Sequence, residues 1–216
     1  MLLNLSLLGS DPVAFFRLLL EISAALIIAI TVHEFSHAWM AYRLGDDTAK
    51  LQGRLSLNPL VHLDVMGTLL LFLVGFGWGK PVPVNHLRLR GDIRTGMAKV
   101  ALAGPLSGLL VAGALGLGLR LTGLPLDGIP LLVFFYNILL ALFNLIPLAP
   151  LDGFNVLQGL LPSRMAFSFS RLEAYGPGLL LLLILVDNIT HLGILLRLLS
   201  PGINLMSQLF LGERLI

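Results

Sequence analysis

From about Val13 to Tyr42 the chain is almost continuously apolar. A helix over those positions, at about 1.5 Å per residue, is longer than the roughly 30 Å hydrocarbon core of a bilayer, so the stretch reads as a membrane span with length to spare. Composition agrees: hydrophobic residues make up 56% of the 216, charged residues 12%, and mean hydropathy is +0.92. These values exclude an ordinary soluble domain. Because lipid offers backbone groups no partners, the spans must be helices, and the expected fold is membrane all-α. We expect a polytopic helical bundle of about four to six transmembrane segments, forming a single domain over residues 1–216. Its core covers about 13–160 and its C-terminal helices about 170–211.

Within that first span stands His33-Glu34-Phe35-Ser36-His37. On a helix, positions i and i+4 share a face, so both imidazoles can reach one metal ion with Glu34 beside it. This is the pattern of a zinc-activated water with a carboxylate as general base. With five histidines and four glutamates in the chain, chance supplies only about 0.002 matches to the motif. Ionisable groups at mid-bilayer also cost on the order of 2.5–3.5 kcal/mol each, which argues for a task. The bland alternative is a set of helix-packing hydrogen bonds, for which a lone polar residue would serve as well.

Other features bound the reading. Met1–Ser10 carries no basic residue, and cleavage after the apolar stretch would remove the motif, so a signal peptide is not expected. With no cysteine in the chain, protein metal ligands are limited to His, Asp and Glu. A net charge of +2 and a pI near 9.3 reflect basic loops beside membrane segments, and no nucleic-acid partner is expected.

Later spans are expected at about 97–119, 130–148 and 174–188, with an apolar or amphipathic stretch at 191–211 and Arg164 and Arg171 in the loop before the 174–188 span. The segment from about Leu60 to Trp78, which contains His62, Asp64, Gly67, Gly75 and Gly77 and is followed by Gly79, is too broken for a simple crossing. We read it as re-entrant or peripheral, because the loops on either side of it, 43–58 and 80–99, are both basic and belong on one cytoplasmic face. Ten of the fourteen basic residues then lie inside. His33 sits roughly 15 Å of helix above Arg43, and Asp152 follows a span descending to the same side, so the two places with ligating potential converge in depth. Leu51–Asn58 and Lys80–Asn85 alternate in polarity and read equally as a small membrane-associated β element or as polar loops. As strands they could pair with an extended peptide.

A catalytic zinc usually takes three protein ligands. Candidates for the third are Asp152, Asp64, His62, His86, His191 and Glu173. Asp152 stands out because Pro147, Pro150 and Gly153 break an apolar span around it, which turns the chain and lets a carboxylate reach a neighbouring helix. Its alternative is an acidic residue starting another helix. Asn144 reads evenly as a helix-packing hydrogen bonder or a substrate-binding amide. His62 and Asp64 either border the active-site side or hold a turn through side-chain hydrogen bonds, and His86 and His191 read as loop or interfacial residues.

Taken together, these pieces give the chain a resemblance to the site-2 protease family of intramembrane zinc metalloproteases. The resemblance rests on the motif at 33–37, on Gly104-Pro105-Leu106-Ser107-Gly108, and on Asn144 through Gly153. It extends to Gly45-Asp46, to Gly53-Arg54-Leu55-Ser56-Leu57-Asn58-Pro59, and to Gly79-Lys80-Pro81-Val82-Pro83-Val84-Asn85, as in compact prokaryotic members without a PDZ domain. The resemblance implies that His33, His37 and Asp152 bind one Zn²⁺ per chain and that Glu34 acts as general base. It implies that Asn144 positions substrate or stabilises the oxyanion. It further implies a multi-pass protein of the cell membrane with its active site toward the cytoplasmic side, whose partners are the lipid bilayer and a transmembrane protein substrate. The competing functions are a membrane metal-ion transporter, a prenyl-protein peptidase and a catalytically inactive client-binding homologue.

Overall fold

The structure is a computed structural model and describes residues 9–74, 78–125 and 127–216. In chain order its helices are α1 (Pro12–Arg43), α2 (Thr48–Leu51), α3 (Val65–Val74), α4 (Ile93–Thr122), α5 (Gly128–Asn144), α6 (Asp152–Leu160), α7 (Ser163–Ser170), α8 (Gly176–Thr190) and α9 (Ile194–Phe210). Among the described residues three stretches are long and apolar enough to cross a membrane: α1, α4 and the run Ser163–Thr190. The apolar helices α5 and α9 are shorter, at 17 residues each.

The start of α1 is set by Asp11, whose side chain accepts from the Ala14 amide at 3.0 Å, and by Pro12 in the first turn. Its end comes at Leu44–Gly45, where Gly45 takes a φ of +107° that a side chain would resist. One face of α1 buries Ala25, Ala29, Ala38 and Ala41 in register with His33 and His37. Against it lies α4, capped by Asp92 onto the Thr95 amide at 2.9 Å and bringing Gly104 against both histidine rings, while Gly108 faces Asn137 and Ala141 of α5. Small residues on both helices let the backbones approach closely, the usual device of helix packing in lipid. Pro105 sits inside α4 and removes one helix hydrogen bond. Next to it the Ser107 hydroxyl donates to the Gly104 carbonyl at 2.7 Å.

α5 packs on both long helices. Its buried Phe134 and Ile138 join Ala112 of α4 with Leu199 and Ile203 of α9, forming the largest apolar cluster. A second cluster joins Ile22, Ala25 and Ala29 of α1 to Val133 and Tyr136 of α5. α6 docks on α4, with Gly159 so close to Ala98 that a side chain there would collide with it. By contrast α8 leaves Leu179, Leu181, Leu182, Leu185, Val186 and Ile189 exposed.

The segment after Pro59 goes out and comes back. The ten residues described for α3 are by themselves too few to span a bilayer, and Leu63 meets Gly79 in an isolated antiparallel bridge. Lys80 N–H donates to the His62 carbonyl at 2.7 Å. Gly75 and Gly77, within the stretch read as re-entrant, lie outside the described residues, as do Met1–Leu8. The β element expected at 51–58 and 80–85 takes another form: among the described residues neither segment is a strand. Leu51 closes α2, and the Asn58 side chain turns the chain by accepting from Leu60 N at 3.1 Å. Pro81 and Pro83 have no amide hydrogen to give a ladder. Residues 163–170, which contain Arg164, form α7 where a loop was expected.

Candidate metal centre

Each side chain of the candidate centre is placed by a local device. His33 and His37 stand one turn apart on α1, with ring centroids 4.6 Å apart and planes at 84°. Gly104 of α4 faces both rings, and a Cβ built there would come within 2.7 Å of His33 Cε1. Only glycine lets α4 pass this close. Asp152 is the first residue of α6, at the end of the turn that follows α5. That turn closes on Gly153, where a Cβ would lie 2.5 Å from the Ile146 carbonyl oxygen.

The result is a convergence of three residues far apart in sequence. Asp152 Oδ2 lies 3.0 Å from His33 Nε2 and 3.2 Å from His37 Nε2. Their ligand atoms all fall within 4.8 Å of one another. Both imidazoles are buried, while the Asp152 side chain keeps 17% of its surface accessible. His37 Nδ1 is 2.8 Å from the Val100 carbonyl oxygen. A carbonyl only accepts, so Nδ1 carries the hydrogen and, in the neutral ring, Nε2 directs its lone pair at the Asp152 carboxylate. Two acceptors facing each other at 3.2 Å repel unless a proton or a cation lies between them. A nitrogen, nitrogen, oxygen donor set matches what zinc takes, and zinc's bond lengths would separate its ligands by roughly 3.4 Å, close to the spacing found. These residues fit such an ion.

Glu34 follows His33 on α1 and lies against the returning segment, its Oε1 3.8 Å from where a Gly79 Cβ would be. Arg54 reaches the same neighbourhood from the loop after α2. It is 4% exposed, its Nη2 donates to the carbonyls of Lys80 and Pro81, and its positive charge acts on Glu34. Burial lowers the Arg54 pKa, opposed by the charge of Glu34.

The other candidates for ligands stand apart from this centre. His62 is fully buried, and its Nε2 bonds the Ser56 carbonyl at 2.7 Å. Asp64 accepts from the Gly67 amide at 2.7 Å at the start of α3. Both therefore hold the turn. His86 and Glu173 are exposed at the starts of short 3₁₀ turns, and His191 is exposed just after α8. Asn144 ends α5 with its amide donating to the Leu140 carbonyl at 3.0 Å. The inward turn of Arg54 was not foreseen, since an arginine after a span reads as a topology signal. Nor was Asn137, 1% exposed on α5, with its amide on the Val133 carbonyl; an intramembrane Asn in an apolar run was the available cue.

Comparison with known proteins bears on the identity of this centre. No family model matches the chain, and no solved structure matches it. The chain is 38% identical over 200 residues to the protein named "Putative zinc metalloprotease YwhC" of Bacillus subtilis, a match covering 86% of this chain and 88% of that one. It is 31% identical over 156 residues to "Putative zinc metalloprotease Rip2" of Mycolicibacterium smegmatis, and 30% identical to Rip2 of Mycobacterium tuberculosis. Those two matches cover 68% of this chain and 60% of each relative. On the extent of the first match, this chain belongs to the zinc metalloprotease family of YwhC.

Proposed function

We propose that this protein is an intramembrane zinc endopeptidase of the site-2 protease type, hydrolysing peptide bonds in or near the transmembrane helices of other membrane proteins. The observation that carries the reading is the meeting of Asp152 of α6 with His33 and His37, one turn apart on an apolar helix where a glutamate follows His33. His33 and His37 would hold the ion through Nε2 and Asp152 through its carboxylate, with Gly104 leaving the room. When bound, zinc lowers the pKa of a water toward neutrality and polarises a carbonyl.

The chain's own residues supply the rest. Glu34, beside the ligands, takes the proton of the attacking water and returns it to the leaving amine. Val100 fixes the His37 tautomer through its carbonyl. A helical substrate must unwind before attack, because its amides are internally bonded. Residues 80 and 81, held by Arg54 through their carbonyls, border Glu34 and form one wall of the approach to the centre. Asn144, at the mouth of the turn leading to Asp152, is assigned to substrate positioning. The protein is placed in the cell membrane as a multi-pass chain, with the basic loops and the centre toward the cytoplasm.

A metal transporter would need ligands spaced along a path, whereas the described residues contain one group. Cleavage of a single-span protein by the purified enzyme in detergent tests the reading. Glu34→Gln is expected to keep its zinc and lose at least about a hundredfold in cleavage rate. Wild-type cleavage by Glu34→Gln would remove Glu34 from this role.

A further inference from the structure

Where α1 leaves its apolar stretch, a cleft of about 660 Å³ opens, lined by Tyr42, Arg43, Gly45, Asp47, Arg88 and Arg90. Three guanidinium groups share this concavity with one carboxylate. Asp47 is engaged by Arg88. Arg43 stacks over the Trp39 ring at 5.5 Å, and Arg90 folds over Gly45, its Cγ 2.9 Å from where a Cβ would stand. Neither Arg43 nor Arg90 has an ion-pair partner among the described residues. Lys50 adds a cation beside the cleft, its Nζ bonded to the Tyr42 hydroxyl at 3.2 Å. Arg43 and Arg90, the two lining charges beyond what Asp47 balances, therefore border, with Lys50 beside them, a space large enough for a phosphate ester.

An apolar surface leads into the cleft. Ile28, Val32, Phe35 and Trp39 follow one another at intervals of four, three and four residues, so they line one outward face of α1 that ends at Tyr42 and Arg43. Ile28, Trp39 and Tyr42 are exposed and the other two half-buried. From Ile28 to Arg43 this stripe is roughly 22 Å long, about the length of an extended acyl chain. Trp39 and Tyr42 are the residue types that settle where hydrocarbon meets headgroups. A cationic cleft continuous with such a stripe has the shape of an amphiphile, which a free phosphate does not need.

We propose that this cleft is a binding site for an anionic phospholipid, its phosphate held by Arg43 and Arg90 and its acyl chain along the stripe from Trp39 to Ile28. Guanidinium groups suit the task because they meet phosphate oxygens with two parallel N–H donors. The site does not depend on the proteolytic reading, since none of its residues belongs to the metal centre.

The test is lipid retention by native mass spectrometry, on full-length protein purified from micelles containing equal phosphatidylglycerol and phosphatidylcholine. The wild type is expected to retain phosphatidylglycerol selectively. Arg43→Gln with Arg90→Gln is expected to lose about tenfold or more of that retention. Arg164→Gln with Arg171→Gln removes the same charge elsewhere and should change it little. Arg43→Lys with Arg90→Lys keeps charge, and should fall between, which guards against a misfolded double variant. Equal loss in the Arg164 and Arg171 pair would overturn the proposal, because general attraction would then explain the binding. Unchanged retention in the Arg43 and Arg90 pair would overturn it as well. Displacement of the lipid by millimolar inorganic phosphate would show a phosphate site without the acyl component, and would also count against it.

Discussion

The seam between α1 and α4 and the surface of α8 are both built from apolar helix, yet they are put together in opposite ways. Along the seam small residues such as Ala41 and Gly104 let the helices come close, and Gly104 leaves the space that the two imidazoles fill. On α8 the side chains are large leucines pointing outward, with little of the chain behind them. In lipid, leucine gains nothing by meeting another helix instead of an acyl chain, so bulky apolar residues do not specify a packing partner. Small ones do. The difference places chemical precision in the seam and leaves α8 as a face toward lipid.

The seam should break at a single atom. Gly104→Val puts carbon where the two imidazoles stand, and cleavage and zinc retention should fall together, cleavage by at least about a hundredfold. Gly118→Ala, on the same helix with nothing within 4 Å of its new methyl group, should behave as wild type. If Gly104→Val kept full zinc, the close approach of α4 would not matter to the centre. A smaller contrast concerns stability. Phe134→Ala empties a fully buried position in the cluster with α9 and should cost about 3 kcal/mol. Leu182→Ala on α8 should stay within about 0.5 kcal/mol. Thermal unfolding in one detergent measures both, and equal losses would mean that α8 packs as tightly as the core.

The same contrast explains what the sequence alone made legible. Long apolar runs mark α1, α4, α5, α8 and α9 because length and hydropathy are local properties. The histidine pair was readable from helical spacing, and Asp152 could be singled out because prolines and a glycine break the chain around it. Both signals lie within a dozen residues. Gly104 stood out as part of a motif, but its purpose depends on a helix some seventy positions earlier, which no local pattern encodes. Arg54 was hidden for a different reason. The same charge serves membrane topology or a buried hydrogen bond, and only the fold shows that it bonds the carbonyls at 80 and 81. Alternating polarity at 51–58 pointed equally to strand and loop, since a run that short is also satisfied by turns capped by Ser56 and Asn58.

The metal content of purified protein tests the central claim most directly. Inductively coupled plasma mass spectrometry after dialysis should find one zinc per wild-type chain. Asp152→Ala, which leaves two imidazoles without the carboxylate that faces them, should retain less than about a tenth of that. A folded Asp152→Ala protein that still held one zinc per chain would contradict the assignment of these three side chains to a single ion.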